Sequence, residues 1–299
     1  MNALSAKTFP VLVRREFWEH RALWMAPLVM AALYLLVCLI PGSAGINFNT
    51  AGHTGAETDG GMMPMIYVQL VFTGVLFALM SVVIFFYLSD CLYAERKDRS
   101  ILFWKSLPVS DAATVLAKLL VAALVVPLGI YVLAVITNVL AFGVLYARLH
   151  GDPVFGPFVH WDTGDWLRLN GILLADVVIV SLWYAPVVAY QLLMSAWAKG
   201  SVLVWTILPP LIAMLGERLL FGTWYVGRLI GERVGINLTG VAIGHRPVAG
   251  VEPALHASTI FDQIDAFGLL LTPAMWIGLV VAAVLVFVTI RIRRYRDDT

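Results

Sequence analysis

Residues 90–118 gather the groups of this chain best suited to hold a partner by charge. Asp90, Glu95, Arg96, Lys97, Asp98 and Arg99 crowd together, Tyr93 and Trp104 stand among them, and Ser106-Leu107-Pro108-Val109-Ser110 leads on toward Lys118. Uncharged runs, Met62–Ser89 and Leu119–Ala147, lie on either side. Such a mixture suits recognition of a soluble protein, because buried aromatic and apolar anchors hold a contact while rim charges steer it. The same residue types also fit a solvated interfacial helix with snorkelling basic side chains. Helix signals run through Tyr93-Ala94-Glu95-Arg96, a short amphipathic helix fits the residues around Ile101 to Lys105, and Pro108 stops it. Ser110-Asp111 then suit the cap of the next helix.

Other chemistry is sparse. No GxxxxGK[ST] loop is present, so the chain is not expected to hydrolyse ATP, and neither HExxH nor GxSxG occurs. Its six histidines (His20, His53, His150, His160, His245 and His256) are scattered, so neither a metal nor a bound cofactor is expected. Cys38 and Cys91 belong to no CxxC pair and read as structural thiols. Asp176 is the one acid well inside an apolar run, which makes it a candidate intramembrane polar site. Arg168 stands close enough to offer it a local partner. Glu217, Arg218 and Trp224 stand where another apolar run gives way to mixed sequence, and read either as an outer gate or as a lid on the bundle.

The elements that must position these groups are membrane spans. The chain is 61% hydrophobic and 13% charged, against about half apolar and a quarter charged in ordinary soluble domains. A span needs about 20 apolar residues. Six runs qualify, over residues 22–40, 62–89, 119–147, 169–198, 201–216 and 266–290, the fifth short and interrupted by Pro209-Pro210. Pro127 and Gly129 predict a kink in the third. An amphipathic stretch from Phe9 to Arg21, with Arg14, Arg15 and Phe17, predicts an N-terminal helix lying in the membrane interface. Residues 217–265, too broken by Gly222, Gly227 and Gly231 to span, predict short helices re-entering the outer leaflet, anchored by Trp224 and Tyr225. The fold expected is an all-α integral membrane protein forming one domain over residues 1–299. The basic residues gather before the first run, in 90–118, at Lys199 and in Arg291–Arg296, so both termini are expected in the cytoplasm. Cys91 is then expected on that side and Cys38 near the outer end of span 1.

Glu95-Arg96, then Ser100 and Leu102, then Ser106-Leu107-Pro108-Val109-Ser110, then Lys118-Leu119 resemble the cytoplasmic loop of ABC-2 type transporter permeases. Arg99-Ser100 stands where that family usually has Gly-Thr. The six-span plan with an interfacial helix and broken outer helices resembles the family as well. The resemblance implies the membrane subunit of an ATP-binding-cassette exporter in the plasma membrane. It pairs with a second permease subunit and works with separate cytoplasmic ATPase subunits that bind ATP and Mg. It also implies a coupling helix formed by Tyr93, Glu95, Arg96, Arg99, Leu102, Trp104 and Leu107, with Arg14, Arg15 and Phe17 completing the docking surface. The rival readings are a proton- or ion-coupled carrier and a non-transporting anchor for a signalling ATPase.

Overall fold

A computed structural model describes residues 8–40, 63–98, 109–151, 162–235 and 268–295, and these are helical with no strand among them. In a bilayer the backbone must satisfy its own polar groups, which is why long apolar runs become helices. The order is α1 (Thr8–Glu19), α2 (Ala22–Leu39), α3 (Met63–Asp90), α4 (Tyr93–Lys97), α5 (Asp111–Leu149), α6 (Thr163–Trp197), α7 (Val202–Phe221), α8 (Tyr225–Gly235) and α9 (Pro273–Tyr295). Helices α2, α3, α5, α6, α7 and α9 are long and apolar enough to cross a membrane.

Several boundaries differ from the sequence expectation, each for a local reason. Helix α5 begins at Asp111, where the Ser110-Asp111 cap was expected: the Ser110 side chain accepts from the Ala113 N–H at 3.1 Å, and the helix runs on into the apolar stretch from 119. Helix α6 begins at Thr163 rather than 169, capped by Asp162, whose side chain accepts from the Asp165 N–H at 3.0 Å. Helix α7 runs through Glu217 and Arg218 to Phe221 and stops at Gly222, whose φ of 67° is left-handed. Helix α9 starts later than expected, at Pro273, and carries Arg291, Arg293 and Arg294 within its last turns. Within α5, Pro127 has no N–H to offer the carbonyl four residues back, and the chain widens into a π turn over Val121–Val125 just before it.

Helix α6 lies at the centre and packs against α3, α5, α7 and α9. The buried residues of α9 recur as Met275, Gly278, Ala282, Val286, Thr289 and Arg293, a stripe at spacings of three or four. Its small members let α9 lie close along α6, where Ala189 meets Ala282 and Val286, and Ile179 and Trp183 meet Met275. A second core joins α2, α3, α5 and α6 around Ala31, Phe72, Leu76, Met80, Ile130 and Leu192. Neutral polar groups tie the same helices farther from α4: Gln69 donates to Asn170 at 3.1 Å, and the Tyr131 hydroxyl donates to the Asn170 carbonyl at 2.9 Å.

Helix α7 is the exception. Leu203, Val204, Ile207, Leu208, Leu211, Ile212 and Leu215 are all exposed, and few of its residues are buried. Its fixed point is the proline pair. Pro209 and Pro210 cannot donate to the carbonyls of Trp205 and Thr206, and the Tyr190 hydroxyl of α6 donates to both, at 3.4 and 3.0 Å. Beside it the Thr206 hydroxyl donates to Gln191 at 3.0 Å.

Tyr190→Phe therefore leaves two carbonyls without their donor and should lower stability by about 1 kcal/mol. In a Pro209→Ala/Pro210→Ala background the restored N–H groups take those carbonyls, so the same change should cost less. Thermal unfolding midpoints of the four variants in detergent measure this; an equal cost in both backgrounds would refute the assignment.

Candidate functional site

The charged residues of the face that carries both ends of the described chain converge on Glu95. Helix α1 brings Arg15 and Glu16 because its inward side, Leu12 with Phe9 and Val13, packs on Ala113 and Ala117 of α5. One turn after Leu12, Glu16 follows it inward and is 2% exposed. Helix α5 brings Lys118, which is fully buried, with Nζ 2.9 Å from each Glu16 carboxylate oxygen and 3.2 Å from Glu95 Oε1. The Tyr87 hydroxyl of α3 donates to Glu16 Oε2 at 2.9 Å. The stripe that packs α9 on α6 ends in Arg293, whose Nη1 lies 2.7 Å from Glu95 Oε2 and whose Nε lies 3.1 Å from Asp111 Oδ1. Arg15 completes the set, with Nη2 2.7 Å from Glu95 Oε1 and Nε 2.6 Å from Glu19. Four elements are thus joined through one carboxylate. Moving an ion out of water costs several kcal/mol, repaid only where every charge finds partners in good geometry. Here Arg15, Lys118 and Arg293 are each matched by Glu16, Glu95 or Asp111.

The residue after Glu95 faces the opposite way. Successive helical residues point about 100° apart, so Arg96 meets α6 instead. Its guanidinium donates to the carbonyls of Ser195 at 2.7 Å and Ala198 at 2.8 Å, at the helix end where a cation opposes the backbone dipole. The Ser195 hydroxyl accepts from the N–H groups of Leu92 and Tyr93, at 3.2 and 3.1 Å, and donates to the Ser89 carbonyl at 2.9 Å. Helix α4, five residues long, is therefore bonded on one side to α1, α5 and α9 and on the other to α6.

Several expected site residues sit elsewhere than on an open surface. Glu95 is buried and Arg96 half-buried, both committed to the bundle, because the cations and carbonyls that satisfy them come from inside it. Arg15 is likewise drawn into the network, while Arg14 stays exposed over the Trp18 ring at 4.7 Å and Phe17 packs on the core. Tyr93 lies under the Arg96 guanidinium. Arg99, Leu102, Trp104 and Leu107 lie outside the described residues. Cys91 and Cys38 are both buried, so neither thiol can report sidedness by labelling.

Asp176 is buried on α6. Because Ile179 and Trp183 pack on Met275, it lies about one turn beyond the first turn of α9, with the buried residues Leu173, Asn170 and Leu169 of α6 farther out still. Glu217 is a cap: its carboxylate accepts from the N–H groups of Tyr225 at 2.6 Å and Val226 at 2.7 Å, and from the Thr223 hydroxyl at 2.7 Å, so it starts α8. Arg218 donates to the Gly222 carbonyl at 2.9 Å, and the half-exposed Trp224 lies over Gly227. The end of α8 is held to α6 and α9 by Arg233, which stacks 3.9 Å from the Trp183 ring and donates to the carbonyls of Trp183 and Ala274. The rest of the expected outer segment, from residue 236, lies outside the described residues.

The sequence reading missed Glu16, Tyr87, Asp111, Ser195 and Arg293 as partners in this site. Two signals were available: Lys118 is the lone cation between Ala117 and Leu119 in an apolar helix, and Arg293 continues the stripe of α9. Ligand atoms of Glu16, Glu19 and His20 lie within 4.8 Å of one another, but Glu16 already serves Lys118 and Tyr87, and Glu19 serves Arg15.

Compared with known proteins, residues 12–192 match the family described as ABC-2 family transporter protein, more than half of the chain. The match runs from α1 nearly to the end of α6 and so contains Glu16, Glu95, Arg96 and Lys118. No curated protein and no solved structure matches.

Lys118→Met leaves Glu16 and Glu95 buried without their shared cation and should destabilise the protein by about 3–5 kcal/mol. Adding Glu16→Gln should recover part of that loss, since the two residues form one network. Chemical or thermal denaturation in detergent checks it; a double variant as unstable as the sum of the singles would count against the network.

Proposed function

The chain belongs to the ABC-2 family of transporter proteins, a multi-pass membrane component and not itself the ATPase, and on that premise we propose that it is the permease subunit of an ATP-driven exporter in the plasma membrane. ATP and Mg bind in separate cytoplasmic subunits. The basic face lies in the cytoplasm by the excess of Lys and Arg there. A second permease subunit completes the pathway. Helix α8, at eleven residues too short to cross the bilayer, belongs to the outer leaflet and covers the outer end of the bundle.

The observation that carries this reading is the double attachment of α4 through Glu95 and Arg96. Residues 99–108 follow α4 directly and hold Arg99, Leu102, Trp104 and Leu107, the side chains that dock on the ATPase. A push on that segment reaches α4 first. Since α4 is bonded to α1, α5 and α6 and through Arg293 to α9, the push moves those helices as a body, a rigid shift of the kind packed interfaces undergo. Glu95 and Arg96 transmit force and do not touch the partner.

The roles separate experimentally. Trp104→Ala should lose co-purification of the ATPase. Arg96→Ala should keep the ATPase bound yet lower substrate-stimulated hydrolysis about tenfold or more, the change expected from loss of a charge-assisted hydrogen bond. Stimulated hydrolysis unchanged in both variants would overturn the coupling role. A single cysteine at Lys199 should react with an impermeant thiol reagent in inside-out vesicles and not in intact cells; the reverse would invert the orientation.

A further inference from the structure

Beside the coupling site a cleft of about 730 Å³ opens between the α1–α2 junction, the end of α3 and the start of α7. That volume lies in the range of small-molecule sites, roughly 300–1,000 Å³. Its wall is divided. Glu19, His20, Arg21 and Asp90 give one part a polar rim, while Leu23, Val83, Phe86 and Leu203 give the other an apolar surface. Phe86 and Leu203 are themselves exposed, so the apolar wall continues onto the lipid-facing sides of α3 and α7.

The charges of the rim are left over from the network. Glu19 is bonded to Arg15. Burial, and after it the Lys118 ammonium, holds the His20 imidazole below its usual value, so it is neutral near pH 7. Arg21 and Asp90 carry opposite charges with no ion pair among the described residues. Asp90 is moreover the last residue of a 28-residue helix, where an acid adds to the negative end of the backbone dipole and a cation would relieve it. The site therefore offers one negative and one positive group above an apolar wall.

We propose that this cleft binds a zwitterionic phospholipid bearing a primary ammonium, with Asp90 holding the ammonium, Arg21 the phosphate and the wall of Phe86, Val83 and Leu203 the upper part of the chains. A primary ammonium donates hydrogen bonds to a carboxylate, and a quaternary one cannot. Two of the aromatic rings that could favour a quaternary group are engaged, His20 packing against the Tyr87 ring at 4.8 Å and Arg96 covering Tyr93, and Phe86 is on the apolar wall. The proposal stands apart from transport; the orientation given above decides only which leaflet supplies the lipid.

The full chain, purified in detergent, is incubated with equal amounts of phosphatidylethanolamine, phosphatidylcholine and phosphatidylglycerol of identical chains, and retained lipid is counted by native mass spectrometry. Phosphatidylethanolamine should be retained about tenfold or more over phosphatidylcholine, as loss of a charge-assisted hydrogen bond implies. Asp90→Asn should erase that preference, Arg21→Gln should weaken retention of all three, and Leu203→Trp, at an exposed position, should fill the cleft and abolish retention without lowering the thermal midpoint. Equal retention of ethanolamine and choline lipids, or a preference for phosphatidylglycerol, which a merely basic interface would show, overturns the proposal. So does an ethanolamine preference that survives Asp90→Asn.

Discussion

A charge removed from water must meet its counter-charge, and on the basic face of this bundle that requirement fixes how the helices meet. Lys118 is buried completely, and its ammonium is satisfied only where Glu16 and Glu95 both reach it. With the apolar contacts of Leu12 on α5 and of Val13 and Phe17 on the main core, this seats α1. Glu95 in turn must sit where Arg15 and Arg293 arrive, which sets the ends of α1 and α9 relative to α4. Exchanging such a network for apolar residues is often neutral or stabilising, so its value lies less in stability than in register. Each helix has one depth and one rotation at which the charges close.

The rest of the bundle is held by weaker, neutral means, and the contrast organises the molecule. Small residues bring α9 against α6, and single hydrogen bonds such as Gln69 to Asn170 join α3 to α6. Bonds of that kind contribute about 0.6 kcal/mol each in membranes. Helix α7 stands outside this frame. It is packed along one edge, broken by Pro209-Pro210, and tied to α6 through Tyr190 and Gln191. Helices α3, α5, α6 and α9 thus form one packed body, and α7 lies along its edge.

Between these parts lies α4. Adjacent positions on so short a helix face different neighbours, and Glu95 and Arg96 use that geometry to bond it to both sides of the frame. The acid–base pair that reads from the sequence as part of a docking surface is instead bonded into the bundle. Charges that make these bonds are consumed by them, and those left at their edge, Arg21 and Asp90, face the lipid cleft.

The six apolar helices, the cap at Ser110 and the disturbance near Pro127 were all legible in the chain, because each follows from neighbours within a turn or from the length of an apolar run. Helix ends at Thr163 and Phe221 were misplaced, since Asp162 was read as a loop charge and Glu217 and Arg218 as the start of a separate outer segment, although the first caps α6 and the other two belong to the end of α7. The fate of the charges was not legible. Side chains of Glu, Lys and Arg are almost always exposed, and nothing next to Glu16 or Glu95 marks them as exceptions. Their partners are 102 residues apart for Glu16 with Lys118 and 198 apart for Glu95 with Arg293. Helical periodicity says which side of its own helix a residue occupies; only the assembly of the helices decides what stands opposite, and for a buried charge that neighbour determines whether the position is tolerable at all.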